Sequence, residues 1–230
     1  MKTRLLIIGH GRMGKLVEQL APDYGCEVAG IVTSAAGARG IAEAEGPFDV
    51  AIDFTTPDAV PANLTALAER KLNVVIGTTG WQAAEPGLRA VAAEHHIGVL
   101  AASNFSIGLH IFRKAVAQAA SDFAAQPQVG AWIHEAHHSA KKDAPSGTAL
   151  TLKQAMETAG YTRGMDISST RAGSIPGTHT VGFDGPSETV TMTHTVRDRA
   201  VFARGALDVA RWLVGRHGWF TMDDYLKELR

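Results

Sequence analysis

Between Glu135 and Thr148 the chain reads Glu-Ala-His-His-Ser-Ala-Lys-Lys-Asp-Ala-Pro-Ser-Gly-Thr. Two adjacent imidazoles, His137 and His138, supply groups that exchange protons near neutral pH, and Lys141 and Lys142 place fixed positive charge beside them. Ser146, Gly147 and Thr148 have the composition of a helix opening, followed by helix formers from Ala149 to Ala159 and a stop at Gly160. The free N–H groups of such an opening, with a glycine that lets a ligand come close and a lysine just upstream, suit a small carboxylate or phosphate. Proton transfer to an anionic substrate is the chemistry these types and spacings point to. The plain alternative is structural: neighbours in a strand face opposite ways, so one histidine is a surface residue and the other a satisfied core group. A zinc centre is not indicated, because the only cysteine, Cys26, is far away in sequence and neither HExxH nor a paired CxxC accompanies the histidines.

A second motif strengthens the enzymatic reading. Gly9-His10-Gly11-Arg12-Met13-Gly14 follows the short apolar run Arg4-Leu5-Leu6-Ile7-Ile8 and precedes a helix expected from Arg12 to Ala21, stopped by Pro22, with a strand from Glu27 to Val32. A GxGxxG alone is weak, but this βαβ setting is the one a dinucleotide site requires. Gly9 makes the tight turn, Gly11 lets the pyrophosphate reach the backbone, and Gly14 lets the helix pack closely.

Composition limits the remaining classes. With 230 residues, 45% hydrophobic content and a formal net charge of -1, the chain has material for a sizeable core and none of the charge imbalance that nucleic acid or a membrane surface calls for. One cysteine rules out an internal disulfide framework, and the N-terminal apolar run is too short for a signal peptide or membrane span, so a cytoplasmic protein is expected.

The elements that must position these motifs alternate through the first half. Strands are expected at Val50 to Phe54, Asn73 to Ile76 and Ile97 to Ala101; helices are expected from Pro57 to Arg70, capped by Thr56, around Glu85 to His95, and from Ser106 to Phe123. Two polar loops then fall at strand ends, Gly77-Thr78-Thr79-Gly80 and Ser103-Asn104-Phe105-Ser106, where doubly wound sheets collect their ligands. After Pro127 come a strand from Val129 to Glu135, the Ser146 helix, and strands at Ile167 to Ala172, Thr178 to Phe183 and Glu188 to Val196. The last two flank the hairpin signal Asp184-Gly185-Pro186-Ser187. A helix from Val201 to Arg216, with a stripe of Phe202, Ala206, Val209, Ala210 and Leu213, is expected to return to the first domain. The expected fold is thus α/β: a Rossmann-like dinucleotide-binding domain (residues 1–104 and 200–230) with an inserted α+β substrate-binding and oligomerisation domain (105–199).

The block from Glu135 to Ala149 resembles the signature of the dihydrodipicolinate reductase family, also called 4-hydroxy-tetrahydrodipicolinate reductases: E-x-H-H-x-x-K-x-D-x-P-S-G-T-A. Gly9 to Gly14, Asp53-Phe54-Thr55, Gly77 to Gly80, Asn104-Phe105-Ser106, and Arg171-Ala172-Gly173 followed by Gly177 and His179 occur in the family's order. The resemblance implies reduction of a cyclic unsaturated dicarboxylate by NADPH or NADH, with loss of water, in the diaminopimelate route to lysine. It also implies a homotetramer. Carried over, His137 is the general acid and Lys141 the catalytic lysine, with His138, Gly147 and Thr148 lining the substrate. Gly9, Gly11, Arg12, Met13, Gly14, Thr33, Ser34, Gly77, Thr78, Thr79, Ser103, Asn104 and Phe105 hold the cofactor.

The chain also departs from what a dinucleotide domain usually shows. Thr33 and Ser34 stand where an acidic residue ordinarily binds the adenosine ribose, so no carboxylate there repels a 2'-phosphate; with Arg12 and Arg39 nearby in sequence, dual cofactor use with NADPH favoured is expected. Two other readings compete: another nicotinamide oxidoreductase of like architecture, such as an aspartate dehydrogenase, or a catalytically silent dinucleotide-binding protein.

Overall fold

In the computed structural model, which describes residues 2–229, the opening apolar run forms β1 (Thr3–Ile8). It is followed by α1 (Arg12–Leu20), β2 (Cys26–Val32), α2 (Gly37–Glu43), β3 (Val50–Asp53), α3 (Val60–Glu69), β4 (Asn73–Ile76), α4 (Glu85–Glu94) and β5 (Gly98–Ala101). Helix α5 (Ile107–Ala124) leads to β6 (Gly130–His137), α6 (Gly147–Thr158), β7 (Met165–Arg171), β8 (Thr178–Asp184) and β9 (Thr189–Thr195). Then come α7 (Ala200–Leu213), β10 (Gly218–Phe220) and α8 (Met222–Glu228). The chain divides into two compact units, Met1–Ile107 with Ala200–Arg230, and Gly108–Arg199.

The first unit is a six-stranded sheet in the order β10-β5-β4-β3-β1-β2, parallel at every pairing. All four residues of β3 and all four of β4 are buried, as expected for strands covered on both faces. Strand alternation divides them between two cores. Leu5, Ile7, Val50, Ile52, Val75 and Leu100 pack under α1, α7 and α8, while Leu6, Ile8, Ala51, Val74, Ile76 and Val99 pack under α2, α3 and α4. Each Val, Leu or Ile among them contributes roughly 1.5–3 kcal/mol on burial. The amide of Asn73 ties β4 and β5 to the end of α7: its Nδ2 donates to the carbonyls of Leu213 and Arg216 at 2.7 and 2.9 Å, and its Oδ1 accepts from Gly98 N–H at 2.7 Å. This adds donors at the end of α7, where the Leu213 carbonyl also accepts from Arg216 N–H at 3.1 Å.

The second unit is a four-stranded sheet in the order β7-β6-β8-β9, with β6 parallel to β7 and the other pairs antiparallel. One face packs Ala131, Ile133, Val181 and Phe183 against Leu109, Phe112, Val116 and Ala120 of α5 and Ala149, Leu152 and Met156 of α6. The opposite face is threonine-rich: Thr180 meets Thr193 at 3.0 Å and Thr178 meets Thr195 at 3.2 Å, all exposed or half-buried.

Several expectations need correction. Thr56 makes no side-chain cap; Pro57–Ala59 is a 3₁₀ turn and the α-helix starts only at Val60. Pro22 likewise opens a 3₁₀ turn after α1 rather than simply stopping the helix, which suits a residue already locked near helical φ. Helix α2 and the β10–α8 ending have no counterpart in the sequence pattern, because short elements carry too few periodic positions to read. Strand β6 runs two residues beyond Glu135, which places His137 in the sheet and His138 just outside it.

Candidate active site

In the second unit the β-sheet register assembles a charged cluster. Glu135 and His137, two apart on one strand, share the covered face, and pairing puts His179 of β8 opposite Glu135 and Arg171 of β7 opposite His137. The Arg171 guanidinium forks onto Glu135, Nη1 to Oε2 at 3.0 Å and Nη2 to Oε1 at 2.6 Å, the bidentate geometry of a strong ion pair. Glu135 Oε2 also binds His137 Nδ1 in a short contact. Glu135 has no solvent exposure and His137 is 8% exposed. Burial pushes the Glu135 carboxyl up, but Arg171, Ser169 and His137 outweigh it and hold it at about 2. For His137, burial holds the pKa below the usual imidazole value, and the Glu135 carboxylate offsets that only in part.

The segment after β6 turns back on this cluster. Lys141 N–H donates to the His138 carbonyl, and Ser146 N–H reaches Glu135 Oε1 at 3.3 Å, pinning the start of α6 beside the end of β6. Ser146 caps the helix by accepting from Ala149 N–H at 3.2 Å, and its hydroxyl also meets His179 Nε2 at 3.1 Å. Lys141 Nζ pairs with the largely exposed Asp143 at 2.8 Å, lowering the Asp143 pKa. His138 and Thr148 are half-buried and Gly147 is exposed, with nothing within 4 Å of where a side chain would stand. His137, Lys141 and the opening at Gly147 are therefore gathered around one strand end.

Glu135, His137 and His179 offer ligand atoms within 4.8 Å of one another. They do not suit a metal: both Glu135 oxygens already bind the Arg171 guanidinium, against which a dication would be placed.

In the first unit the residues expected to hold a dinucleotide lie at the carboxyl ends of β1, β2, β4 and β5. Gly9 adopts φ +88°, and a side chain there would stand 2.5 Å from the Phe54 carbonyl; one at Gly14 would stand 2.1 Å from the Gly9 carbonyl. Gly11 is different, with open space around it and no side-chain cap on the N-terminus of α1, leaving donors free for a pyrophosphate. The chain's own residues thus fit a dinucleotide. Arg12 and Thr79 are exposed and Met13 half-buried, while Gly77 makes room for the Phe54 ring, which a side chain at that position would meet at 2.0 Å. Thr78 is turned inward: its hydroxyl accepts from Thr55 N–H at 2.8 Å and donates to buried Asp53 at 3.2 Å. Asn104 caps its own loop through Ser106 N–H at 2.8 Å, Ser103 is exposed, and Phe105 is 1% exposed, packed edge-on against Phe54. Thr33 and Ser34 are exposed beyond β2.

Models of known families match both parts of the chain. "Dihydrodipicolinate reductase, N-terminus" covers residues 3–105 and "Dihydrodipicolinate reductase, C-terminus" covers 108–226. The chain belongs to the dihydrodipicolinate reductase family. A 4-hydroxy-tetrahydrodipicolinate reductase of Stenotrophomonas maltophilia is 40% identical over 97% of this chain and 98% of its own length, and one of Christiangramia forsetii is 31% identical over 98% of each. Among solved structures, a dipicolinate-bound dihydrodipicolinate reductase from Paenisporosarcina sp. TG-14 superposes with a TM-score of 0.78 at 22% identity, covering 96% of this chain and 98% of that one. An aspartate dehydrogenase from Thermotoga maritima superposes at 0.50 with 12% identity over 93% and 97%, a likeness of fold alone. Family members use a nicotinamide cofactor.

Two functional candidates escape a reading of the sequence alone. Glu135 is part of the signature but has no role assigned by it; its spacing from His137 already places both on one face. Arg171 falls in a short family motif, but no spacing marks it as a partner of Glu135, and only the β6–β7 register brings it opposite His137.

Proposed function

We propose that the chain is a 4-hydroxy-tetrahydrodipicolinate reductase, working in the diaminopimelate route to lysine. The observation that carries this reading is Glu135 joining His137 to an anion-ready helix opening, in a chain 31–40% identical over nearly its whole length to reductases of that name. When bound, the nicotinamide supplies a hydride to the ring of a cyclic dicarboxylate whose hydroxyl leaves as water. This chain's residues do the rest. His137 delivers a proton to carbon, Lys141 and the N–H groups of Gly147 and Thr148 receive carboxylates, and His138 lines the same pocket. Gly9, Gly11, Arg12, Met13 and Gly14 take the pyrophosphate, while the loops Gly77–Thr79 and Ser103–Phe105 flank the nicotinamide end.

Around this core reading stand finer ones. Dual cofactor use with NADPH favoured is supported by Thr33 and Ser34 replacing a carboxylate, and by Arg39, which is 81% exposed and held only loosely by Glu43, at 3.9 Å. A homotetramer formed through the second unit is supported by the uncovered threonine face of its sheet, and a cytoplasmic setting by a biosynthetic family and by the lack of any membrane-crossing helix among the described residues. Cofactor oxidation with the freshly made product of the upstream synthase tests the main reading, and no turnover with either NADPH or NADH would refute it. The ratio of kcat/KM for the two cofactors, and sedimentation at working concentration, test the other two; an NADH preference would direct attention to Glu43 and Glu45.

A further inference from the structure

His137 has two ring nitrogens, and the function proposed above, on which this inference rests, needs the right one to be free. We propose that Glu135, fixed by the Arg171 fork, is a positioning residue that keeps the neutral His137 proton on Nδ1, leaves Nε2 to carry the transferred proton, and sustains the imidazolium in a buried place.

The geometry supports each part. Glu135 sits at a buried strand position with both oxygens engaged by Arg171 and one by Ser146 N–H, so the carboxylate has a single orientation, with Oε2 against His137 Nδ1. An ionised carboxylate only accepts, so Nδ1 donates and Nε2 is left with its lone pair or with the exchangeable proton. The Nε2 edge lies beside Gly177, where a side chain would stand 3.1 Å from Nε2 and 3.3 Å from Cδ2. Glycine therefore leaves open the edge of the ring that must meet a ligand. The charged and titratable groups facing His137 are few. Glu135 from β6 favours the imidazolium; Lys141 from the segment after β6 and Arg171 from β7 oppose it, and Asp143 is engaged with Lys141. His179 from β8 stacks edge-on at 5.1 Å between ring centroids and is held to about 4 by burial first and by His137 second, so it stays neutral near pH 7. Among the described residues, Glu135 is thus the neighbour whose charge keeps His137 able to act as an acid.

The test uses the full chain labelled with ¹⁵N-histidine, the His137 signals being assigned by their loss in His137→Gln. In the wild type the neutral ring should carry its proton on Nδ1; an Nε2–H tautomer overturns the proposal with no variant required. In Glu135→Gln the His137 titration midpoint should fall. The high-pH limb of kcat should fall with it, turnover near neutrality dropping at least about 10-fold and recovering in part on acidification, with KM for the dinucleotide unchanged. An unchanged or raised midpoint overturns the proposal. Should the wild type show no reductase activity, the functional reading fails while the NMR measurements still decide how His137 is held.

Discussion

Asp53 in the first unit and Glu135 in the second are buried carboxylates beside proposed ligand sites, and the chain satisfies them by opposite means. Asp53, 1% exposed at the end of β3, is surrounded by neutral donors: Thr55 N–H and hydroxyl, the Thr78 hydroxyl and the Asn63 amide. Burial raises its pKa, and these hydrogen bonds only partly offset that. Glu135 has a guanidinium, and its pKa falls to about 2. The difference shows what each unit is built to do. A site that cradles a dinucleotide needs fixed backbone and hydroxyl positions, which neutral hydrogen bonds supply. A site that moves protons onto a dianion needs charges of defined sign, and a buried charge persists only when paired.

The largest effect tests the charged unit. Replacing His137 by glutamine should lower turnover about 10²- to 10⁴-fold, the usual contribution of a positioned general acid, while leaving dinucleotide affinity intact because that site belongs to the other unit. Stopped-flow turnover and a fluorescence titration with the cofactor would measure the two. Nearly full turnover at saturating substrate would remove His137 from the chemistry.

Next comes the ion pair itself. Arg171→Met strands Glu135 without its partner, which should cost about 3–5 kcal/mol in urea unfolding at pH 7. The sign with pH is fixed by the direction of the shift. The wild-type Glu135 pKa is depressed from 4.5 to about 2, so its stabilisation is whole above about pH 4.5 and is lost as the pH falls towards 2. The gap between wild type and variant should therefore close in acid, and a small, pH-independent gap would show that the guanidinium is not what holds the carboxylate.

Smaller still is Lys141. Its alanine variant should lose about 1.5–3 kcal/mol of transition-state binding, roughly 10- to 100-fold in kcat/KM, from one charge-assisted contact to a substrate carboxylate. Lys142→Ala serves as the control; if only that variant lost activity, the wrong lysine would have been chosen. In the free chain Lys141 is held by Asp143 at 2.8 Å, so substrate has to compete for it, which argues for the lower end of the range.

How far the sequence reveals this arrangement follows from which contacts are local. The parallel sheet is legible because β1, β3 and β4 are largely apolar and separated by helix-length segments, and the helix opening because Ser146, Gly147 and Thr148 are consecutive. Glu135 and His137 are legible as a pair through the two-residue period of a strand. Arg171 and His179 lie 36 and 44 positions from Glu135, and only strand register brings them to it. Asp53 is hidden for a related reason: its partners Asn63 and Thr78 arrive from α3 and from the loop after β4. The loop position of Thr78 points to the ligand, whereas its hydroxyl faces inward to Asp53, a use that no local pattern announces.

The smallest effect probes the neutral side of the comparison. Asp53→Asn keeps an oxygen for the donors of Thr55 and Thr78 but places an NH₂ where Oδ2 now accepts from Asn63 Nδ2 at 2.9 Å. Asn63 can answer by turning its amide over to accept from the new NH₂, at the cost of the bond its Nδ2 now donates to Thr55 Oγ1 at 3.3 Å and of burying that Nδ2 where the unpartnered Oδ1 lies. That lost bond is set against the desolvation of a charge that the variant is spared, so stability at pH 7 should change by only about 1 kcal/mol. The pH trend should run opposite to that of Glu135. With a folded pKa raised above 3.8, ionised Asp53 disfavours the folded state at neutral pH, and that penalty is relieved as the pH falls through the folded pKa. Wild type should therefore gain on the variant in mild acid, as read from urea midpoints at pH 7 and pH 5. A loss of several kcal/mol at pH 7 that is the same at pH 5 would mean the Asp53 charge is as well supported by hydroxyls and an amide as Glu135 is by a guanidinium, and the division between the two units would not hold.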